Sequence, residues 1–259
     1  MSEPQHRLFL AAALVATTLA SANARAEEAS MFGNPDYFCR NGAFPGGGEY
    51  GGERPTFRLA RVTGRRGAIT HFYSEGVVRQ DAEACTDLQG TQCQASGQLK
   101  TGDTVIVSKT VRGFACAWFE PTRQRGQGHE TVGWLPLSSL AFVEEPKRPP
   151  SAKRWLGTWR HWDDRLVIDK SADRNALNIK GTAYWPARNL APFHSGFLSG
   201  SAEPDGNTVT VVYPPDSPPG ARCELRLTLL GDLLVASDNH RCGGMNVVFD
   251  GVFVDRPSK

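Results

Sequence analysis

The chain has 259 residues, 40% of them hydrophobic, and a formal net charge of +2, which suits one or two globular domains with a core of ordinary size. The near-balance of charge argues against nucleic acid as a partner. With 27 glycines and 17 prolines, the composition favours many turns and short strands.

Residues 1–26 read as a signal peptide. Arg7 supplies the positive charge, Leu8 to Leu19 the apolar stretch, and Ala22-Asn23-Ala24 and Ala24-Arg25-Ala26 both fit a small-x-small cleavage site. Cleavage after Ala26 starts the mature chain at Glu27; two arginines leave with one glutamate, so the net charge drops by one. No later apolar run approaches the roughly 18–20 residues that cross a bilayer. The expectation is a periplasmic or secreted protein with no membrane span after cleavage. Six cysteines follow: Cys39, Cys85, Cys93, Cys116, Cys223 and Cys242. An even count behind a signal peptide predicts structural disulfides in an oxidising compartment. None lies in a CxxC pair or near a suitably spaced histidine, so no zinc site is expected.

Residues 27–55 form an irregular Gly/Pro-rich segment, with Gly46-Gly47-Gly48 and Gly51-Gly52 too dense in glycine for regular structure. Residues 56–145 read as a compact β module, with strands at Thr56–Val62, Ile69–Tyr73, Asp103–Thr110, Gly113–Phe119, Glu130–Pro136 and Leu140–Glu144. Phe114-Cys116-Trp118 and Ala115-Ala117-Phe119 make both faces of one strand apolar, so that strand should be central. Thr122–Gly128 is a polar hairpin loop. Cys85 and Cys93 enclose seven residues and can staple a local loop, which leaves Cys39 with Cys116. Four cysteines allow three connectivities, and spacing does not choose among them.

Lys100-Thr101-Gly102-Asp103-Thr104-Val105, Phe114-Ala115-Cys116-Ala117-Trp118-Phe119 and Thr131-Val132-Gly133-Trp134-Leu135-Pro136 resemble bacterial SH3-like domains. There a "GD-V-V" strand precedes two more strands, the last reading "G-W-L" before a short turn and a closing strand. The resemblance implies an SH3-like barrel module and, by fold analogy alone, an association with the cell wall.

Residues 146–154 form a Pro-rich linker holding the basic residues Lys147, Arg148, Lys153 and Arg154; a solvated, extended hinge is expected. Residues 155–259 then read as a second small up-and-down β-barrel. Its strands are expected at Trp155–Trp162, Arg165–Asp169, Ala176–Tyr184, Phe193–Gly200, Thr208–Tyr213, Arg222–Leu230, Leu233–Asp238 and Met245–Val254. Cys223-Leu225-Leu227-Leu229 alternates with polar residues, and Val247-Phe249-Gly251-Phe253 alternates likewise. Cys223 and Cys242 should pair; a loop near twenty residues gives roughly 3 kcal/mol in the chain-entropy model.

Gly157-Thr158-Trp159 resembles the G-x-W of the calycins, the lipocalins and avidin-like proteins, and the strands that follow resemble the opening of avidin-like barrels. The resemblance implies that Arg256 packs on the first-strand Trp. The avidin ligand-binding Trp/Asp set has no counterpart here, so biotin binding is not implied.

Chemistry is sparse in this sequence. His194 and Ser195 are adjacent and face opposite sides of a strand; no G-x-S-x-G elbow occurs. Asp163-Asp164, Glu203 and Asp205 lie in expected turns, with nothing to pair them as glycosidase carboxylates. Asp238-Asn239-His240 beside Cys242 reads as an Asx-rich turn with a polar side. No catalytic residue, metal ligand or cofactor motif is assigned. Aromatics are the more useful signal. Trp118, Trp134, Trp162, Tyr184 and Trp185, with His194 and Asn239, are the candidate binding residues, because aromatic faces near strand ends make platforms for sugars or apolar ligands. The expected function is a non-catalytic binding protein of the bacterial cell envelope, with peptidoglycan, an envelope protein or a secreted hydrolase as partner. A small-ligand carrier using the barrel interior, and a hydrolase with an unrecognised site, are the alternatives. The redox assignment has a direct check: Ellman titration of the denatured, unreduced mature protein should find almost no free thiol, and two or more would refute it.

Overall fold

A computed structural model describes residues 39, 56–79, 85, 87–88, 91–121, 130–144, 148–173, 175–186, 190, 192–218 and 221–255. The expected signal peptide, the Gly/Pro-rich segment apart from Cys39, the loop at Thr122–Gly128 and Arg256 lie outside the described residues. The described chain is all-β, with two antiparallel sheets of seven and eight strands.

The first sheet contains β1 (Arg58–Val62), β2 (Ile69–Tyr73), β3 (Gln94–Lys100), β4 (Thr104–Val111), β5 (Phe114–Phe119), β6 (Thr131–Pro136) and β7 (Leu140–Phe142), in the order β3-β2-β6-β5-β4-β1-β7. β5 is the middle strand, as its two apolar faces require. Arg112 and Gly113 both take positive φ, at 48° and 81°, giving the two-residue hairpin between β4 and β5 the twist of its strands. Gly133 of the Gly-Trp-Leu run is small for a reason: a Cβ there would lie 3.1 Å from the Phe72 ring. β3 is absent from the expected strands. Its sequence, QASGQLK, buries only Leu99, so it carries no alternation to read.

The second sheet contains β8 (Gly157–His161), β9 (Asp164–Lys170), β10 (Leu177–Trp185), β11 (His194–Ala202), β12 (Thr208–Tyr213), β13 (Cys223–Leu230), β14 (Leu233–Asp238) and β15 (Gly251–Asp255). Their order is β11-β10-β9-β8-β15-β14-β13-β12. The sheet curls into a nearly closed barrel whose seam brings β11 against β12; a Cβ on Gly200 would collide with Val211. The first strand begins at Gly157 and not at Trp155. Trp155 instead ends a single 3₁₀ turn, Ala152–Arg154, and is fully buried, its carbonyl accepting the Trp159 indole N–H at 2.8 Å. Gly157 takes φ +142°, and a Cβ there would meet the Asp255 carboxylate at 2.9 Å.

The last strand differs most from expectation. Residues 245–250 leave the sheet and turn into the barrel. Asn246 at φ 62° and Gly251 at φ 157° interrupt the extended run. Val247 and Phe249 are buried among the barrel's core residues, and a Cβ on Gly181 would lie 2.6 Å from the Phe249 ring. The alternation Val247-Phe249 thus reports a plug facing the barrel axis and not a ladder.

Three disulfides are present: Cys39–Cys116, Cys85–Cys93 and Cys223–Cys242, with Cα separations of 5.2, 5.8 and 4.5 Å. They suggest an oxidising, extracellular or periplasmic environment. No helix among the described residues is long and apolar enough to cross a membrane.

Both sheets belong to one compact unit, Cys39–Lys259. Each has its own core, yet some strands are buried on both faces. In β4 and β5, Val105, Val107, Ala115 and Ala117 fill the first core while Ile106 and Trp118 are buried on the opposite face. In β14 and β15, Leu234, Ala236 and Phe253 fill the barrel while Leu233, Val235, Val252 and Val254 are buried outside it. The two sheets approach at Leu59 of β1 and the β13–β14 turn, where the Leu59 methyl lies 3.5 Å from a Cβ built on Gly231. The linker reaches the same turn, where Arg154 donates to the Gly231 carbonyl, while its described residues 148–154 are mostly exposed.

Phe249→Ala should destabilise the protein by about 3–5 kcal/mol, because it empties the centre of the barrel. Urea unfolding of the oxidised protein measures this, and a loss under about 1 kcal/mol would contradict the plug.

Candidate functional site

Strand direction gives the barrel two chemically distinct ends. At one end lie the β8–β9, β10–β11, β12–β13 and β14–β15 connections. Here β10 and β11 place Trp185 opposite His194 in register, with the rings stacked 6.2 Å apart at 20°. Tyr184 meets Phe193 edge-on at 5.6 Å. Trp162, at φ 52° in the β8–β9 turn, is 58% exposed and stacks on His161 at 5.6 Å. Phe197, opposite Thr182 on the outward face, is 61% exposed, and Met245 in the plug loop is 70% exposed. This end is an aromatic rim.

Two half-buried titratable groups support it. The Asp164 carboxylate accepts the Tyr184 N–H at 2.9 Å and so ties the β8–β9 turn to the rim. Burial pushes its pKa up to about 7; the Tyr184 hydrogen bond opposes this, and the neighbouring Asp163 charge adds to it. His161 lies against Gly251, where a Cβ would come 2.7 Å from the imidazole. Burial lowers its pKa, against the charge of Glu130 and its contact with the Val252 carbonyl at 3.1 Å. Burial thus favours the neutral imidazole, and a hydrogen bond to that carbonyl requires the proton on Nδ1.

The turn at Asp238-Asn239-His240 is occupied with backbone capping. Asp238 accepts from the N–H groups of His240 and Phe249, both at 2.6 Å. Asp250 accepts the Asp238 N–H at 2.7 Å. Asn239 accepts from Glu224 N–H at 3.0 Å and donates to the Arg222 carbonyl at 2.9 Å. With Cys223–Cys242 beside it, this network anchors the plug loop. The same loop covers the start of β11: Gly244 N–H donates to the Ser195 carbonyl, and Gly196 admits the Cys242 backbone to within 2.6 Å of its Cβ position.

Of the candidate binding residues, the structure gathers Trp162, Tyr184, Trp185 and His194 at one barrel end. Asn239 sits in the supporting turn. Trp118 and Trp134 are buried in the first sheet, with the Lys109 ammonium 5.8 Å from the Trp134 ring. Sequence reasoning left Phe193 and Phe197 out of the candidates and set Asp164 aside as a turn carboxylate, whereas it is the first residue of β9. Phe197 had a signal: it falls on the polar phase of β11, between the inward Gly196 and Leu198. Asp164 had none, because its burial depends on the fold of the neighbouring strands.

At the opposite barrel end, a cleft of about 650 Å³ opens between the linker strap, the first sheet and the β11–β12 and β13–β14 turns. Arg58, Arg148 and Arg154 border it, and Leu59, Leu229 and Leu230 line it. No group of three or more metal-ligating side chains occurs among the described residues.

Fold and site define an all-β, disulfide-bonded protein with a filled, nearly closed barrel carrying an aromatic end and a basic cleft. Comparison with protein-family models, curated proteins and solved structures finds no match.

The raised Asp164 pKa has a sign. The folded state holds this proton more tightly than the unfolded chain, so its stabilisation is complete below the ordinary value of 3.8 and is lost as pH rises through about 7. The fall is on the order of 3 kcal/mol. Asp164→Asn keeps the acceptor for Tyr184 and should flatten that fall; urea unfolding at pH 5 and pH 8 measures it, and an unchanged slope would assign it to other groups.

Proposed function

We propose that this chain is an exported, non-catalytic binding protein of the bacterial cell envelope that engages peptidoglycan through the aromatic rim. The carrying observation is the exposure of Trp162, Trp185, Phe193 and Phe197 at one end of a barrel whose interior is filled. Flat rings suit the C–H faces of sugars, and a rim open to solvent suits a polymer better than an enclosed ligand. In this reading residues 56–145 are an SH3-like module, residues 155–259 a calycin-like barrel, and residues 1–26 a signal peptide.

The carrier alternative has less support, since Phe249, Phe253 and Trp159 occupy the space that an interior ligand needs. A hydrolase also has less support. His194 stacks on Trp185, and Asp238 is bonded to backbone N–H groups, so neither is poised beside a nucleophile.

Cosedimentation with purified sacculi tests the proposal. The protein should be retained, and the triple variant Trp162→Ala, Trp185→Ala, Phe193→Ala should lose about tenfold or more in affinity, a typical cost of removing exposed aromatic anchors. Failure of the parent protein to bind, or undiminished binding by the triple variant, would overturn it.

A further inference from the structure

The cleft at the other barrel end is independent of the rim. We infer that it is a binding site for a linear amphiphilic anion, a carboxylate or phosphate monoester on a single hydrocarbon chain. Its volume of about 650 Å³ falls within the roughly 300–1,000 Å³ typical of small-molecule sites. Leu59 of β1 and Val143 just past β7 line it on one side, and Leu230 of the barrel on the other. The strap crosses it with Pro149 and Pro150, which bring no N–H donor.

Charge borders the cleft: among its described lining residues, Arg58, Arg148 and Arg154 stand against one carboxylate, Glu144. Among the described residues none of the three guanidinium groups forms a salt bridge. Two are held in position: Arg58 lies 4.0 Å over the Phe142 ring, and Arg154 spends one donor on the Gly231 carbonyl. A guanidinium has five donors in a planar fork, so each keeps enough to clasp a carboxylate or phosphate. Holding them in advance reduces the entropy lost on binding.

The lining also discriminates against a peptide. A bound peptide brings an N–H and a C=O per residue that must be satisfied. Beyond the charged groups, the polar side chains among the described lining residues are Ser151 and Asn207, and the Asn207 amide already donates to the Leu229 carbonyl. A hydrocarbon chain makes no such demand and gains by leaving water.

Titration calorimetry on the full-length oxidised protein tests this with decanoate, decyl phosphate, decanol and inorganic phosphate. Both decyl anions should bind; decanol should bind about tenfold more weakly or worse, and inorganic phosphate should not bind measurably. Arg58→Gln with Arg148→Gln should cost about tenfold in decanoate affinity, and Val143→Asp, at a partly exposed position on the cleft wall, should also abolish binding. Thermal melts of the variants separate lost binding from lost folding, and sacculus retention by the arginine variant separates this site from the rim. Equal affinity for decanol and decanoate, or full affinity in the folded arginine variant, would overturn the inference. So would binding to phosphatidylglycerol vesicles that excess decanoate does not compete away, because it would assign the arginines to a membrane surface.

Discussion

The contact of Phe249 with the space over Gly181 governs what this barrel can do. An eight-stranded barrel has room for side chains or for one small ligand. Here the β14–β15 connection folds inward and takes that room for the protein itself. Gly181 lacks a Cβ where the ring needs to sit, Asp238 receives the loop's backbone, and Cys223–Cys242 holds its neck. With the axis occupied, any ligand must be met at an end or on the outside.

The two ends then diverge in chemistry because different elements build them. The rim comes from hairpins whose last residues are aromatic, and its order depends on half-buried groups beneath it, Asp164 on the Tyr184 backbone and His161 on the Val252 carbonyl. The cleft comes from three separate pieces, β1 with the end of β7, the proline strap, and two barrel turns. One end is apolar and open to solvent; the other is apolar within and cationic at its border.

Much of the architecture was legible in the chain. Ile69–Tyr73, Thr208–Tyr213 and Leu233–Asp238 match their strands at both ends because turn residues flank clear β-rich runs. The three disulfides pair the cysteines in the arrangement that the short Cys85–Cys93 spacing left open. Gln94–Lys100 was illegible because one buried leucine makes no pattern. Met245–Val254 was read too long because an inward loop and a strand both place alternate residues in the core. The rim was half visible, since tryptophans near strand ends can be seen in a sequence, whereas the burial of Asp164 cannot. The cleft was invisible: Arg58, Arg148 and Arg154 are dispersed in the sequence, and only the folded chain brings them to the border of one cleft.

Burial on both faces has a consequence for any attempt to shorten this chain. β4–β5 and β14–β15 each carry a second apolar row with no solvent side: Ile106 and Trp118 on one, Leu233, Val235, Val252 and Val254 on the other. A truncation that strips the cover from either row would bare contiguous greasy surface, which invites self-association. Neither sheet is a portable cassette, because its solubility depends on the chain that closes its second face.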